Sequence, residues 1–252
     1  MKNKSKKVIS INNLYTTNTK IKDAMSEFYT EQPNILVIGD VHGCFHTLKS
    51  MIEQHWQQPE LLVQLGDLID RGNFSGETVQ FVQRLQQLHP QQVKILRGNH
   101  EQELIEYVDT QTNQNWLRQR GQKTLASFLK LGMSLSETVV WMKNLPLYWE
   151  NENIFITHAG IAPNINAPFK AENREGVVWT RQSLKNIGKV QVVGHTPTFS
   201  STPEYNAASN SWYIDTGACF NKYLSAIKLT PQGQVIEIYR VKTKALDVAK
   251  TI

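Results

Sequence analysis

Five short segments of this 252-residue chain set metal-ligating side chains beside glycine: Gly39-Asp40-Val41-His42-Gly43, Gly66-Asp67-Leu68-Ile69-Asp70-Arg71-Gly72, Gly98-Asn99-His100-Glu101, His158-Ala159-Gly160 and Gly194-His195-Thr196. Carboxylates, imidazoles and one carboxamide, with no thiolate among them, suit Mn, Fe or Zn better than Ca or an iron-sulfur cluster. Asp40 and His42 alternate on one segment and can face one ion. Asp67 can bridge two ions through its carboxylate, and Asn99, His158 and His195 can complete the second. Two divalent ions about 3.5–4 Å apart acidify a shared water and hold both the attacking and the departing oxygens of an in-line displacement, so no covalent nucleophile is needed. Arg71, and Arg181 in Trp179-Thr180-Arg181, are then candidates for clamping phosphate oxygens, because a guanidinium meets phosphate in two parallel hydrogen bonds. His100 can protonate the leaving-group oxygen, with Asp70 orienting it and raising its pKa. Glu101 either supports His100 or caps the helix that follows.

Such side chains converge only if the elements before them end at one place. Each segment follows an apolar run: Ile35-Leu36-Val37-Ile38, Leu61-Leu62-Val63-Gln64-Leu65, Val93-Lys94-Ile95-Leu96-Arg97, Asn153-Ile154-Phe155-Ile156-Thr157 and Val190-Gln191-Val192-Val193. Short apolar runs that end in glycine predict buried strands of an α/β sheet, whose strand ends are where such sheets bind ligands. Helical spacing lies between them, over Phe45 to Trp56 and Glu77 to Leu88, so the first three strands are expected to pair in parallel. From about 102 to 145 the period is helical without strand runs, a predicted helical insert on the rim of the sheet. Further strand patterns at Trp212 to Asp215, Leu224 to Leu229 and Val235 to Tyr239, with a turn at Pro231-Gln232-Gly233-Gln234, predict an antiparallel C-terminal part. Residues 1–32 form a basic extension with a possible short helix around Ile21 to Tyr29, and 33–252 a single domain.

Composition excludes several alternatives. The formal charge is +5, but Lys2, Lys4, Lys6 and Lys7 carry four of those charges, which leaves +1 for the remainder and no basic footprint for nucleic acid. No apolar stretch reaches eighteen residues and no signal-peptide core follows the basic N-terminus, so neither a membrane span nor export is expected, and a cytoplasmic location is. Cys44 and Cys219 sit in no nucleophile motif and read as small buried hydrophobes. His46, His55 and His89 lie outside the five segments and read as surface or structural histidines. Arg97 is expected to be structural, and Asp215-Thr216-Gly217 to support the site from behind.

The five-segment pattern, spanning roughly Ile35 to Leu229, resembles the phosphoprotein phosphatase family within the calcineurin-like metallophosphoesterases, above all its bacterial and phage serine/threonine phosphatases. The resemblance implies a four-layer α/β/β/α sandwich, two divalent metal ions (commonly manganese or iron with a second ion) and direct attack by a metal-bridging hydroxide. Carried over by position, it implies Asp40, His42 and Asp67 on one metal and Asp67, Asn99, His158 and His195 on the other. It likewise implies Arg71, Arg181 and Asn99 on the phosphate, and His100 with Asp70 as the acid pair. No ligand position departs from the pattern.

The function expected is hydrolysis of phosphomonoesters, most of all phosphoserine and phosphothreonine in proteins. The alternative is hydrolysis of a dinucleoside tetraphosphate, which some relatives perform. Symmetrically cleaving tetraphosphatases tend to lack the Asp of the second motif and to carry Asp after the His of the third, so Asp70 and Glu101 favour the protein-phosphatase branch, although some bacterial tetraphosphatases keep the Asp-Arg-Gly triplet. A non-enzymatic scaffold is disfavoured, since every ligand is kept, and a nuclease is disfavoured by the near-neutral charge.

Overall fold

The computed structural model describes residues 32–248. The basic extension and its possible helix therefore lie outside the described residues, apart from Gln32.

The apolar runs become strands because each buries both faces. Strand β1 (Ile35–Ile38) is buried at all four positions, as is β2 (Leu61–Gln64). Alternate side chains enter different cores: Ile35 and Val37 point into one, Leu36 and Ile38 into the other. Helices α1 (Phe45–His55) and α2 (Ser75–Leu88) link β1, β2 and β3 (Val93–Ile95), and the three strands pair in parallel. Next come α3 (Asn99–Thr110), the single turn α4 (Gln114–Trp116), a π-helical stretch Leu117–Gly121, α5 (Gln122–Lys130) and α6 (Leu135–Lys143). Strands β4 (Tyr148–Glu150), β5 (Ile154–Thr157), β6 (Val190–Val193), β7 (Glu204–Asn206) and β8 (Ser211–Tyr213) follow. The chain ends in a 3₁₀ turn Ala218–Phe220, β9 (Tyr223–Leu229), β10 (Val235–Lys242) and α7 (Ala245–Val248).

Two five-stranded mixed sheets result, ordered β10-β9-β1-β2-β3 and β4-β5-β6-β8-β7. Between them lies an apolar layer of Ile35, Val37, Val63, Ile154, Ile156, Val192 and Ile227. The outer face of the first sheet is closed by helices through Leu48, Met51, Val79, Leu104, Phe128 and Val139. Two facing sheets with helices on the first match the expected α/β sandwich in three of its four layers. On the outer face of the second sheet, Phe155 packs against Ile161, Val177 and Val178 of a long irregular segment, and no helix covers that face among the described residues. The C-terminal expectation of antiparallel strands holds for β9 and β10, which pair antiparallel with each other and β9 with β1. It fails for β8, which pairs parallel to β6 and antiparallel only to the three-residue edge strand β7. Alternation of side chains reveals a strand but not its partner. No described helix is long and apolar enough to cross a membrane.

Candidate metal centre

All five ligand-bearing segments leave the carboxyl ends of parallel strands: β1, β2, β3, β5 and β6. The loops are stitched together by main-chain hydrogen bonds. The His42 and Gly43 N–H groups donate to the carbonyls of Asp67 and Leu68, both at 2.7 Å, the Gly72 N–H donates to His42 O at 2.9 Å, and the Gly194 N–H to His158 O at 2.8 Å. Gln64, buried in β2, grips Gly66 at the start of its loop twice: its amide donates to Gly66 O at 2.7 Å and its carbonyl accepts the Gly66 N–H at 2.9 Å. Glu101 resolves its two readings in favour of capping. Its carboxylate accepts the N–H groups of Asp67 and Leu68, each at 2.8 Å, and of Gly98 at 2.9 Å, so it closes the start of α3 and ties it to the second loop.

Three of the ligand residues and two residues beside them are held in an unusual backbone state. His42, Asp67, Asp70, Arg71 and His195 all have left-handed φ, of 47°, 53°, 70°, 66° and 66°. Such conformations cost about 1–3 kcal/mol each for non-glycine residues and persist only where surrounding contacts impose them, as at functional sites. The crowding is just as local: a Cβ at Gly194 would stand 2.0 Å from Asp40 Oδ1, while Asp40 Oδ2 is held by the His195 N–H at 3.0 Å. Gly194→Ala is therefore expected to push Asp40 aside and weaken Mn²⁺ binding by about tenfold to hundredfold, the range for disturbing the support of a ligand. Titration calorimetry checks it, and wild-type affinity in the variant would remove Asp40 from the site.

Among the described residues two of three donor clusters share Asp67: His42, Asp67 and His100, and Asp67, His158 and His195. The third is Asp70, His100 and Glu103; the ligand atoms of each lie within 4.8 Å of one another, and Asp40 falls in none of the three. Tautomers follow from the outer contacts. His42 Nδ1 donates to Ile69 O and His158 Nδ1 to Leu65 O, each at 3.0 Å. The lone pairs at Nε2 are thereby turned inward. There His158 Nε2 lies 3.0 Å from Asn99 Oδ1 and 3.4 Å from Asp67 Oδ1, and His195 Nδ1 lies 2.8 Å from Asn99 Oδ1. Burial drives the His42 and His158 imidazoles below their ordinary range and His195 down to about 3, so all three are neutral electron-pair donors. Burial, with Asp215 and Asp67 nearby, pushes the Asp40 carboxyl well above the usual carboxylate range, and Asp40 Oδ1 is buried without a hydrogen-bond partner. Lone pairs and carboxylate oxygens converging on one another in a dry site is what a bound cation resolves. The residues present thus fit divalent ions. At His42 the cationic group in this structure is the Arg71 guanidinium, which donates to Nε2 at 2.5 Å.

Within the first cluster, His100 Nδ1 donates to Asp70 Oδ2 at 2.6 Å. Burial alone would lower the His100 pKa, but the Asp67 charge and the Asp70 hydrogen bond outweigh it and raise the ring to about 9. Asp70 is itself fixed by residues that no sequence motif marks: Trp116 Nε1 donates to Oδ2 at 2.8 Å and Thr124 Oγ1 to Oδ1 at 2.5 Å. Both come from the helical region after the third segment. Arg181 is exposed and donates to Thr196 Oγ1 at 3.3 Å, next to His195. Arg71 lies 5.8 Å from the exposed ring of Phe220. Arg97 donates to Gln102 and to the carbonyls of Lys143 and Leu145, away from the clusters. Asp215 is buried, close enough for its charge to raise the Asp40 carboxyl, and accepts the Gly217 N–H at 3.0 Å. The arrangement can hold two cations, present guanidinium groups to an anion and offer one proton from His100 Nε2.

Comparison with known proteins is consistent with this chemistry. A family model described as calcineurin-like phosphoesterase matches residues 33–222. The chain is 33% identical over 210 residues to the symmetrical bis(5'-nucleosyl)-tetraphosphatase of Erwinia tasmaniensis, covering 79% of this chain and 69% of that protein. Among solved structures, a protein serine/threonine phosphatase from Saccharomyces cerevisiae superposes with a TM-score of 0.61 at 16% identity, over 85% of this chain and 81% of that one. The cold-active protein-tyrosine phosphatase of a psychrophilic Shewanella gives a TM-score of 0.59 at 17% identity, over 83% and 80%. At these identities the two structures speak for the fold alone.

Proposed function

The chain belongs to the calcineurin-like phosphoesterase family of metal-dependent hydrolases, and on that premise we propose that it hydrolyses phosphomonoesters, with phosphoserine and phosphothreonine in proteins as the favoured substrates. Asp40, His42 and Asp67 would hold one divalent ion, and Asp67, Asn99, His158 and His195 the second, with Mn²⁺ favoured and Fe or Zn as alternatives. Ions bound there supply Lewis acidity to the phosphoryl oxygens and acidify water near neutral pH. The protein's own groups do the rest. Arg71 and Arg181, with the Asn99 carboxamide, orient the phosphate. The strand-end loops keep the site dry, and His100 carries the proton for the departing oxygen on Nε2 while Asp70 holds Nδ1.

The observation that carries the choice of substrate is the buried His100–Asp70 pair at 2.6 Å with its Trp116 and Thr124 clamp. A serine or threonine alkoxide is a poor leaving group that departs only with a proton. A nucleoside polyphosphate departs as a phosphate, whose second pKa is about 6, and has no such need. The second reading, dinucleoside tetraphosphate hydrolysis, is favoured by the activity for which the Erwinia relative is named.

With Mn²⁺ supplied, parallel product assays on a phosphothreonine peptide, a phosphotyrosine peptide and diadenosine tetraphosphate separate the two. The expected result is kcat/KM highest on the phosphothreonine peptide. Preference for the tetraphosphate, with two identical diphosphate products, would replace the protein-phosphatase reading with the second.

A further inference from the structure

Helix α1 begins directly after the Asp40–His42 loop, yet its own N-cap residue, Cys44, makes no side-chain cap hydrogen bond. Buried helix N-termini leave N–H groups that something must satisfy, and cysteine is a poor supplier. The cap arrives from the far end of the chain. Asp247, fully buried in α7, accepts the His46 N–H on Oδ1 at 3.0 Å and the Thr47 N–H on Oδ2 at 2.9 Å, and Oδ2 also accepts the Thr47 hydroxyl at 2.6 Å. A carboxylate at the positive end of a helix is favoured further by the helix dipole. The same turn grips the second loop: the Asn73 N–H donates to Asp247 O at 2.8 Å and the Asn73 side-chain amide to Leu246 O at 2.7 Å. The Lys244 N–H closes the arrangement on Thr47 Oγ1 at 2.9 Å. One short helix thus bonds to the residues just beyond Gly43 and just beyond Gly72, the exits of the two loops that present Asp40, His42 and Asp67.

We propose that Asp247 is a positioning residue for the metal centre: by capping α1 and carrying Asn73, it fixes the mutual placement of the first two ligand loops and thereby sets metal affinity. The proposal rests on the two-ion reading above. Because those loops hold His42 and Asp67 in left-handed backbone conformations, they need outside contacts to stay there. Loss of the clamp reaches Asp40, His42 and Asp67 without touching them.

The test uses the full chain as wild type, Asp247→Ala, Asp247→Asn and Ser134→Ala, with Mn²⁺ titration calorimetry alongside thermal unfolding of the metal-free proteins. Ser134 Oγ caps α6 through the Glu137 N–H, so its variant loses a helix cap outside the loops. Asp247→Ala is expected to weaken Mn²⁺ binding about tenfold, the scale of lost ligand support, and Asp247→Asn, which keeps one acceptor oxygen, to recover part of it. Ser134→Ala lowers the unfolding temperature and leaves Mn²⁺ affinity unchanged. Should Asp247→Ala fail to fold, Asp247→Asn and Thr47→Val carry the same comparison. Wild-type Mn²⁺ affinity in the folded Asp247 variants, with only stability reduced, would make Asp247 an ordinary cap and overturn the proposal. No Mn²⁺ binding by the wild type would overturn the two-ion reading and this proposal with it, a result distinct from the first.

Discussion

Asp67→Asn is expected to cut Mn²⁺-dependent hydrolysis of an aryl phosphate by about a thousandfold or more, beyond the 10²–10³ typical for losing one electrostatic contact in an active site. Asp67 is the residue common to both main donor clusters. Its Oδ2 lies 3.4 Å from His42 Nε2, and its Oδ1 lies 3.4 Å from His158 Nε2 and accepts the His100 N–H at 3.0 Å. Burial would raise its pKa, but neighbouring histidines, of which His100 is the protonated one, hold it far below the usual carboxylate range, so the native group is an anion. Asparagine is nearly isosteric yet neutral, and one of its ends becomes an N–H donor. That donor can satisfy an inward-facing imidazole lone pair, so the metal-free variant should fold normally while losing the place for a cation. Added Mn²⁺ stabilises a protein that binds it, by about 2.7 kcal/mol at a hundredfold excess over the dissociation constant. The wild type should therefore gain unfolding temperature with Mn²⁺ and Asp67→Asn should not. Unchanged turnover in the variant would sink the two-ion reading.

The ligand loops were readable in the sequence because each couples a strong local signal, an apolar run, to a glycine and a donor side chain, and parallel strands place such ends together. β1, β2 and β3 and the start of α1 fall where the residue pattern puts them. What the pattern could not reveal depends on contacts between residues far apart in the chain. Trp116 and Thr124 meet Asp70 across 46 and 54 residues, and Asp247 caps α1 across 200. None of the three has a neighbour in sequence that marks its role: an indole in a helical stretch reads as core, and a lone Asp near the C-terminus reads as surface. Glu101 could be assigned two roles because its partners, the N–H groups of Asp67 and Leu68, belong to another loop. Strand β8 was misread for the same reason, since its parallel partner β6 lies about twenty residues earlier.

These long-range contacts share a physical purpose. The chain concentrates buried carboxylates and neutral imidazoles at one point, an arrangement that repels itself without cations. It holds left-handed backbone at four of those positions, His42, Asp67, Asp70 and His195, and at Arg71 beside them. Neither is stable from local sequence, so the support must come from other elements: Gln64 from within β2, Glu101 from α3, Trp116 and Thr124 from the helices that follow, and Asp247 from the end of the chain. The same division explains why the ligands are easy to read and their supports are not. Ligands are limited to a few residue types by coordination chemistry, whereas any correctly placed donor or acceptor can serve as a support.

His100→Asn should slow a phosphothreonine peptide by about a hundredfold to ten-thousandfold, the range for a positioned general acid, while slowing p-nitrophenyl phosphate less than tenfold. An asparagine amide can occupy the place of Nδ1 and keep the hydrogen bond to Asp70, now 2.6 Å long, so the Asp70, Trp116 and Thr124 network is preserved. What is lost is the ring's second nitrogen and its proton, which lies 3.9 Å from Asp67 Oδ2, at the edge of the donor clusters. A nitrophenolate departs readily as an anion and gains little from that proton, whereas a threonine alkoxide depends on it. Diadenosine tetraphosphate, whose leaving group is a phosphate, should behave like the aryl ester. The comparison of three leaving groups in one variant therefore tests the acid and the substrate class together. Equal losses on all three would strip His100 of the acid role and leave it a support for Asp67, and the argument for serine and threonine phosphoesters would lose its main observation.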